Sequence, residues 1–191
     1  EKVDKVIFAD DSFYNKKSWV NKTMMKRNGK KFIFKIPITC SSGLEEPLNC
    51  VTIVSKNWKR NFLRIVGSEH KDSVNFDKVF PMIKEVVNLP TDSASMIAAY
   101  SVFRVSELLG YNTKFSLSSI DHKDIEGSFR GKIIQICKRE RSNQFYTFAM
   151  YQNTFDSSFF VKNKVSVSYF ASYFETNYSI IGNLMNDEHL F

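Results

Sequence analysis

Two adjacent carboxylates follow a short apolar run near the start of the chain. Residues 5–9 (KVIFA) have the length and composition of a buried strand, and Asp10 and Asp11 come directly after it. A carboxylate at a strand end can accept a proton, orient a sugar hydroxyl or hold a metal ion. Asp10, Asp11 and Ser12 are also good turn residues, so a structural turn is an open alternative. We predict that Asp10 and Asp11 are catalytic, with Asp11 facing the cleft and Asp10 capping the turn.

Residues 13–22 (FYNKKSWVNK) bring cations, an amide and aromatic rings together just after these carboxylates. Lys16 and Lys17 could neutralise a phosphate group, and Trp19 could stack on a base or a sugar ring. Asn21 could hydrogen-bond the same ligand. An amphipathic surface segment with Trp19 packed inward would have the same composition. We predict these four side chains as substrate-binding residues and keep the surface segment as the alternative.

A second group of polar residues lies in the C-terminal half. Ser118 and Ser119 follow a predicted strand, and a polar loop then leads to a predicted helix at 129–139. Arg130 and Lys132 stand at the start of that helix, where free N–H groups bind anions and where the dipole otherwise disfavours cations. We predict these four side chains as further substrate-binding residues.

The chain lacks the motifs of the common cofactor and metal sites. It contains no GxGxxG, no GxxxxGK[ST], no HExxH and no CxxC. The tightest acid and histidine group comprises Asp121, His122, Asp124 and Glu126. Such a group could hold a divalent cation, but it more often forms a solvated loop. We therefore expect neither a cofactor nor a metal.

The second half of the sequence predicts the frame that positions these side chains. Helical and strand patterns alternate, in the order helix 94–109, strand 113–117, helix 129–139, strand 144–148, helix 156–161 and strand 164–170. Such alternation is typical of parallel strands joined by right-handed crossovers, so we predict an α/β fold with three layers and a mostly parallel sheet. Ligands bind at the carboxyl ends of parallel strands. We therefore expect one cleft, lined by Asp10, Asp11, Trp19, Asn21, Ser118, Ser119 and Arg130.

The first half combines short strands with a helical segment. Residues 31–38 alternate in the manner of a second strand, and 50–54 could form a third. Apolar residues at helical spacing predict two helices, at 57–69 and 76–87. A cap region at 91–93 and Gly110 predict a third helix between them, so that the helical segment spans about 57–109. We expect a single α/β domain over 1–191.

The composition is that of a globular protein with a basic surface. Of the 191 residues, 43% are hydrophobic and 15% aromatic, which excludes a disordered chain. No apolar run approaches the ~18–20 residues that a membrane span needs. The net charge of +7 favours an anionic partner, although a lysine-rich soluble surface would carry the same charge. Three cysteines are too few for a disulfide framework and indicate a reduced, cytoplasmic protein with Cys137 in its core.

Five segments occur in an order that a known family shares. The segment at 4–13 (DKVIFADDSF) is similar to the motif D-x-F-V-x-x-D-D-V-x-F. The segment at 16–22 (KKSWVNK) is similar to K-x-x-W-x-N-R. FSLSS at 115–119 is similar to F-x-x-S-S, RGKIIQICK at 130–138 to a helix around I-C-K, and SIIGNLMN at 179–186 to S-I-I-D-L-L-F-N. Taken in this order, the segments resemble the WbqC-like protein family. The family's opening Q-P-x-x-x-P-x-x-G-Y-F segment is absent here, and we expect its first strand to be missing as well.

The resemblance implies a Rossmann-like fold and a role in surface-polysaccharide (O-antigen) biosynthesis. We predict a transferase that adds an amino-acid or acyl group to a nucleotide-activated amino sugar, with Lys22 among the residues that hold its phosphates. Two alternatives are open. One is a group transferase acting on modified bases of phage DNA, which the basic charge and Trp19 favour; the other is a non-catalytic binding or scaffold protein. The expected partner is a small phosphorylated or nucleotide-linked molecule, with nucleic acid as the other candidate.

Overall fold

The computed structural model describes residues 3–15, 20–39, 46–153, 155, 157–170 and 179–191. The chain forms two compact units, which we call the first unit (Glu1–Phe115 with Asn177–Phe191) and the second unit (Ser116–Thr176). Helices and short strands occur in both units, so the predicted mixed α/β class is confirmed. Among the described residues, no helix has the length and apolar character needed to cross a membrane.

The strands of the first unit form small, separate pairs. β1 (Lys5–Phe8) is hydrogen-bonded to β6 (Lys114–Leu117), whose first two residues belong to this unit. β2 (Lys22–Arg27) and β3 (Lys30–Lys35) form an antiparallel hairpin, and β4 (Ile38–Thr39) pairs antiparallel with β5 (Thr52–Ile53).

The turn between β2 and β3 explains why the hairpin forms at this point of the sequence. Asn28 and Gly29 join β2 to β3 with φ values of +50° and +72°. Positive φ at both central residues is the geometry that matches the twist of paired strands, and Asn-Gly is the sequence that adopts it most readily. The register places Met25 opposite Phe32, and Met25 and Phe34 point into the core.

Three long helices share a hydrophobic core with this hairpin. They are α1 (Asn57–His70), α2 (Phe76–Val87) and α3 (Ala94–Leu108). Apolar spacing predicted α1 and α2, and residues at the two ends predicted α3. Ser93 caps α3, since its Oγ accepts the N–H of Met96 at 3.3 Å. Gly110 follows α3 with a φ of +72°, as predicted for a glycine beyond a helix C-terminus.

The C-terminal segment returns to the first unit and completes its core. α7 (Ile181–Asn186) contributes Leu184 and Met185, which are almost fully buried. The side chain of Asn75 donates to the backbone oxygens of Leu184 at 3.0 Å and Asp187 at 2.7 Å. These bonds attach the C-terminal helix to the start of α2.

The second unit contains a parallel strand pair around an aromatic core. Its elements are α4 (Ser118–Asp121), α5 (Phe129–Arg139), β7 (Gln144–Phe148), α6 (Ser157–Lys162) and β8 (Ser166–Phe170). β7 and β8 run parallel with α6 between them, as the alternation predicted. Phe160 is fully buried and packs on Phe145 with ring centroids 5.7 Å apart. Cys137 is buried, as expected, and burial raises the pKa of its thiol.

The sheet arrangement departs from the expected one. Within the described residues the strands form four two-stranded sheets, of which β2–β3 and β4–β5 are antiparallel. The three-layer, mostly parallel arrangement therefore stays a prediction. No strand was predicted at residues 22–27, although the Asn28–Gly29 pair is a strong hairpin signal.

Candidate functional site

An apolar pocket of about 270 Å³ reaches into the core of the first unit. The hairpin, β4, β5 and helices α1, α2, α3 and α7 all contribute to its wall. The wall is mostly hydrocarbon, and its apolar members include Phe34, Ile53, Phe62, Ile83, Val87 and Ile97. Because sites for drug-sized ligands usually measure about 300–1,000 Å³, this pocket suits a small molecule or one part of a larger one.

Two sequence-predicted substrate residues, Asn21 and Lys22, lie in the pocket wall. Asn21 immediately precedes β2 and Lys22 is its first residue. Lys22 is half-buried and brings a positive charge to a wall that is otherwise mostly uncharged. The segment that resembles K-x-x-W-x-N-R therefore helps to form this pocket.

The side chain of Asn21 joins two parts of the chain. Its Nδ2 donates to the backbone oxygen of Ile36 at 3.0 Å, and its Oδ1 accepts the hydroxyl of Tyr14 at 3.3 Å. The backbone N–H of Ile36 also donates to the oxygen of Asn21 at 2.9 Å. Tyr14 is buried and Ile36 lines the pocket. Asn21 therefore holds the two ends of the hairpin in place, which makes it a positioning residue for the wall.

Trp58 is a wall residue that the sequence analysis did not name as a site residue. It lies on α1, is 6% exposed and lines the pocket. Its indole Nε1 is buried and has no hydrogen-bond partner among the described residues. A buried donor without an acceptor is costly, so the burial of this nitrogen lowers the stability of the core.

Asp10 and Asp11 lie in the turn that follows β1. Asp10 is 4% exposed, whereas Asp11 is half-buried. Two backbone hydrogen bonds hold this turn. Ser12 N–H donates to the backbone oxygen of Ala9 at 3.0 Å, and Asn49 N–H donates to the backbone oxygen of Asp10 at 2.7 Å. Neither carboxylate is among the residues of the apolar pocket. Their catalytic role, with Asp11 in the cleft, stays a prediction.

Lys16, Lys17 and Trp19 lie outside the described residues. They precede Val20, which lines the apolar pocket. Their predicted contacts with substrate stay predictions.

The remaining predicted residues belong to the second unit. Ser118 is buried at the start of α4 and Ser119 is half-buried beside it. Arg130 is exposed and Lys132 half-buried in the first turn of α5. Asn21, Lys22 and the two aspartates belong to the first unit. That all these residues share one cleft stays a prediction.

A buried histidine lies near the predicted serines of the second unit. His122 is 2% exposed, and its Nε2 lies 3.2 Å from Oε1 of Glu140. That distance allows an ion pair between Glu140 and a protonated His122 ring. Neither ring nitrogen of His122 makes a hydrogen bond within the described residues. His122 N–H donates to the oxygen of Ser118 at 3.0 Å, which fixes the histidine at the end of α4.

The acidic loop around His122 is held by cations of α5. Arg139 donates to both carboxylate oxygens of Asp124, at 2.7 and 2.6 Å. These hydrogen bonds lower the pKa of Asp124 to about 2. Among the described residues, no three His, Cys, Asp or Glu side chains form a group suited to a metal ion. The loop is therefore an ion-paired surface of the second unit.

The sequence also matches a protein-family model. The model describes the WbqC-like protein family, and the match covers residues 1–186. No curated protein and no solved structure matches the chain significantly.

Proposed function

Because the chain belongs to the WbqC-like protein family, we propose that it is a transferase in surface-polysaccharide (O-antigen) biosynthesis that moves an acyl or amino-acid group onto a nucleotide-activated amino sugar. The observation that carries the proposal is the apolar pocket with Asn21 and Lys22 in its wall. Asn21 and Lys22 line the pocket and also belong to the segment that resembles the family. This supports the pocket as the binding place of one part of the substrate. Its hydrocarbon wall suits the group being transferred better than it suits a sugar or a nucleotide.

The proposed chemistry is an attack by the sugar amine on an activated acyl carbon. A C–N bond forms, the bond from the acyl carbon to its leaving group breaks, and the amine loses one proton. A thioester is a suitable activated donor, since its thiolate leaves with the bonding electrons. Asp11 is the proposed base that accepts the amine proton, with Asp10 beside it. Lys22 is proposed to hold the phosphates of the nucleotide.

Transfer can be measured directly. The full chain is incubated with UDP- or dTDP-linked amino sugars and acyl or aminoacyl thioesters, and amide products are detected by mass spectrometry. Asp11→Asn should lower turnover by about 10²–10⁴-fold with an unchanged melting temperature, because loss of a general base has that effect. Asp72→Asn is the matched control, since Asp72 is highly exposed on the surface of the first unit. Absence of product with every donor and acceptor would contradict the transferase proposal.

A second candidate function has support from the hairpin. Lys26 lies opposite Lys31 and Arg27 lies opposite Lys30, and all four side chains are exposed. The four cations form a positively charged patch on the hairpin, and such a patch suits an anionic polymer. This favours the alternative in which the chain acts on modified bases of DNA. Edge lysines also prevent strands from aggregating, which is the structural explanation of the same pattern.

Competing ligands separate the two candidates. Binding of UDP- and dTDP-sugars is compared with binding of single-stranded DNA, each as a function of salt. If DNA is the substrate, replacing all four hairpin cations by alanine should weaken DNA binding and reduce the salt slope by up to about 3, since each phosphate contact contributes about 0.7. Tight sugar-nucleotide binding that the fourfold variant retains would instead favour the polysaccharide function.

A further inference from the structure

One edge of the hairpin is open along β3. The backbone N–H of Ile36 donates to the oxygen of Asn21 at 2.9 Å, so residue 36 faces the side of β2. Because the bonds of an antiparallel pair alternate, Lys35 and Ile33 turn their backbone N–H and C=O groups away from β2. Within the described ranges β3 pairs with β2 alone, and no hydrogen bond reaches these outward groups. The outer edge of β3 therefore presents unpaired strand groups.

The next stretch of the same edge already holds a strand. Val54 N–H donates to the backbone oxygen of Pro37 at 3.2 Å, and β5 pairs antiparallel with β4 just beyond. After Val54 the chain turns away from the edge, since α1 begins at Asn57. A strand that continued β5 past Val54 would lie opposite Lys35 and then Ile33. The geometry of strand pairing is therefore established at this edge and is not continued along β3.

A groove of about 440 Å³ runs beside the outer edge of β3. One side is formed by β3 and Pro37, and the other by the first turns of α1. Ile33 is 48% exposed, and Lys35, Asn57 and Asn61 in the groove wall are exposed as well. The asparagine side chains offer both donors and acceptors. The position of an added strand is therefore accessible and bordered by polar groups.

The border of this groove is positively charged. Lys31 and Lys35 are exposed on β3, and Arg64 on α1 donates to the groove residue Asn61 at 3.1 Å. The hairpin and most of α1 lie in stretches without acidic residues, since the sequence has no Asp or Glu at 13–44 or 47–68. Carboxylates of a partner would be attracted to such a border.

The same charges disfavour a second copy of the chain as the occupant. Two copies paired symmetrically about Ile33 would place Lys31 of one copy opposite Lys35 of the other. Like charges directly opposite each other destabilise a strand pair. Nucleic acid would satisfy the lysines but not the strand edge, because its phosphates are acceptors and give no donor to the outward C=O groups. An acidic peptide backbone supplies both donors and acceptors.

We propose that the outer edge of β3 binds an extended, acidic peptide segment of a partner protein as an added antiparallel strand. Main-chain hydrogen bonds to Ile33 and Lys35 hold the peptide, as in other cases of strand addition. Lys31, Ile33 and Lys35 project on the face opposite to the buried Phe34, so the peptide carboxylates lie on that exposed face beside the two lysines. This partner goes beyond the proposed transfer activity and does not depend on the apolar pocket.

Two N-methylated peptides test the main-chain bonds. The probe is the acetylated and amidated peptide TEVEVET, labelled with fluorescein and titrated with the full chain by fluorescence anisotropy. With its glutamates on the exposed face, the glutamate amides point at β3 and the valine amides point away. N-methylation of the central glutamate should weaken binding by at least about threefold, the effect of one hydrogen bond, whereas N-methylation of a valine should not. No binding of TEVEVET, or equal affinity of the two methylated peptides, would overturn the proposal.

Ile33→Pro tests the same bonds from the side of the protein. Proline removes the outward N–H of Ile33 but no bond between β2 and β3, and edge positions tolerate proline. Ile33→Thr, which retains the N–H and suits a strand, is the matched control. Ile33→Pro should weaken TEVEVET binding by at least about threefold, and Ile33→Thr by less than about twofold. Equal affinities of the two variants would overturn the proposal, and the methylated peptides decide the same question should Ile33→Pro not fold.

Lys35→Glu tests the charge of the border. It should weaken TEVEVET binding by about threefold to tenfold, because an exposed attraction becomes a repulsion. Lys71→Glu makes the same change of charge at an exposed position just after α1 and should leave binding unchanged. Lys35→Glu should also bind the oppositely charged peptide TKVKVKT more tightly than the wild type does. Equal effects of the two substitutions on TEVEVET would reduce the interaction to net charge and overturn the groove.

Two further outcomes would identify a different occupant. A dimer of the full chain that Ile33→Pro converts to a monomer in analytical ultracentrifugation would assign the edge to a second copy. Single-stranded DNA that displaces TEVEVET and binds Ile33→Pro as tightly as it binds the wild type, while TEVEVET does so too, would assign the charged border to nucleic acid. Either result would overturn the peptide partner.

Discussion

Asn21→Ala distinguishes a ligand-binding asparagine from one that holds the pocket wall. The substitution removes the 3.0 Å bond from Nδ2 to Ile36 and the 3.3 Å bond from Tyr14 to Oδ1. The bond to Ile36 has good geometry and contributes about 1 kcal/mol to the free energy of unfolding. The longer bond from Tyr14 contributes about half of that. The hydroxyl of Tyr14 also loses an acceptor, so we expect a total loss of about 2 kcal/mol in the free energy of unfolding. For a chain of 191 residues this corresponds to a fall in Tm of about 4–8 °C.

The assay is chemical denaturation combined with the transfer assay of the proposed function. A double-mutant cycle with Tyr14→Phe should give a coupling energy of about 0.5–1 kcal/mol, because the two side chains share one hydrogen bond. Asn61→Ala is the matched control, since Asn61 is an exposed amide bonded to Arg64 at 3.1 Å, and we expect a change below about 0.5 kcal/mol. An Asn21→Ala protein with wild-type stability but no transfer activity would refute the positioning role and return Asn21 to direct substrate contact.

Further predictions concern the hairpin and the second unit. Gly29→Ala should destabilise the protein by about 1 kcal/mol, because its φ of +72° disfavours a side chain although the space around it is open; Gly182→Ala in α7, equally open and without a positive φ, should be neutral or slightly stabilising by denaturation. Asp124 has a folded-state pKa of about 2, below its ordinary 3.8, so its contribution to stability should be present above pH 3.8 and disappear as the pH falls towards 2. Carboxyl NMR titration should show this pKa returning towards 3.8 in Arg139→Ala, and an unchanged value would contradict the pairing. Phe160→Ala should cost about 3–5 kcal/mol in unfolding experiments, because the ring is fully buried between other aromatic side chains; a loss below about 1 kcal/mol would show that the second unit lacks the tight core described.

Local patterns predicted most of the regular elements. Apolar side chains at helical spacing gave α1 and α2, and Ser93 and Gly110 marked the two ends of α3. These signals are reliable because caps and amphipathic faces depend on residues within a few positions of one another. The first strand of the hairpin was not predicted, although its Asn28–Gly29 turn is an equally local signal.

The candidate site was harder to predict, since its parts are distant in sequence. The pocket wall combines Asn21 and Lys22 with side chains of α1, α3 and α7, and no sequence window contains them together. Asn21 was predicted to bind substrate, yet its amide is used between Tyr14 and Ile36. Trp58 was not predicted as a site residue, and the sequence does not show that its buried N–H has no acceptor within the described residues.

The sequence by itself therefore determined helices α1, α2, α3, α5 and α6, the caps of α3, the parallel pair β7–β8 and the family, because each of these depends on periodicity or on short ordered motifs. Only the tertiary structure decided the pocket, the unpaired donor of Trp58 and the approach of His122 to Glu140. The physical reason is that hydrogen-bond partners and cavities depend on which distant surfaces meet and on what volume they leave unfilled. Burial then determines which of the polar groups gathered there are satisfied within the chain and which are available to a ligand.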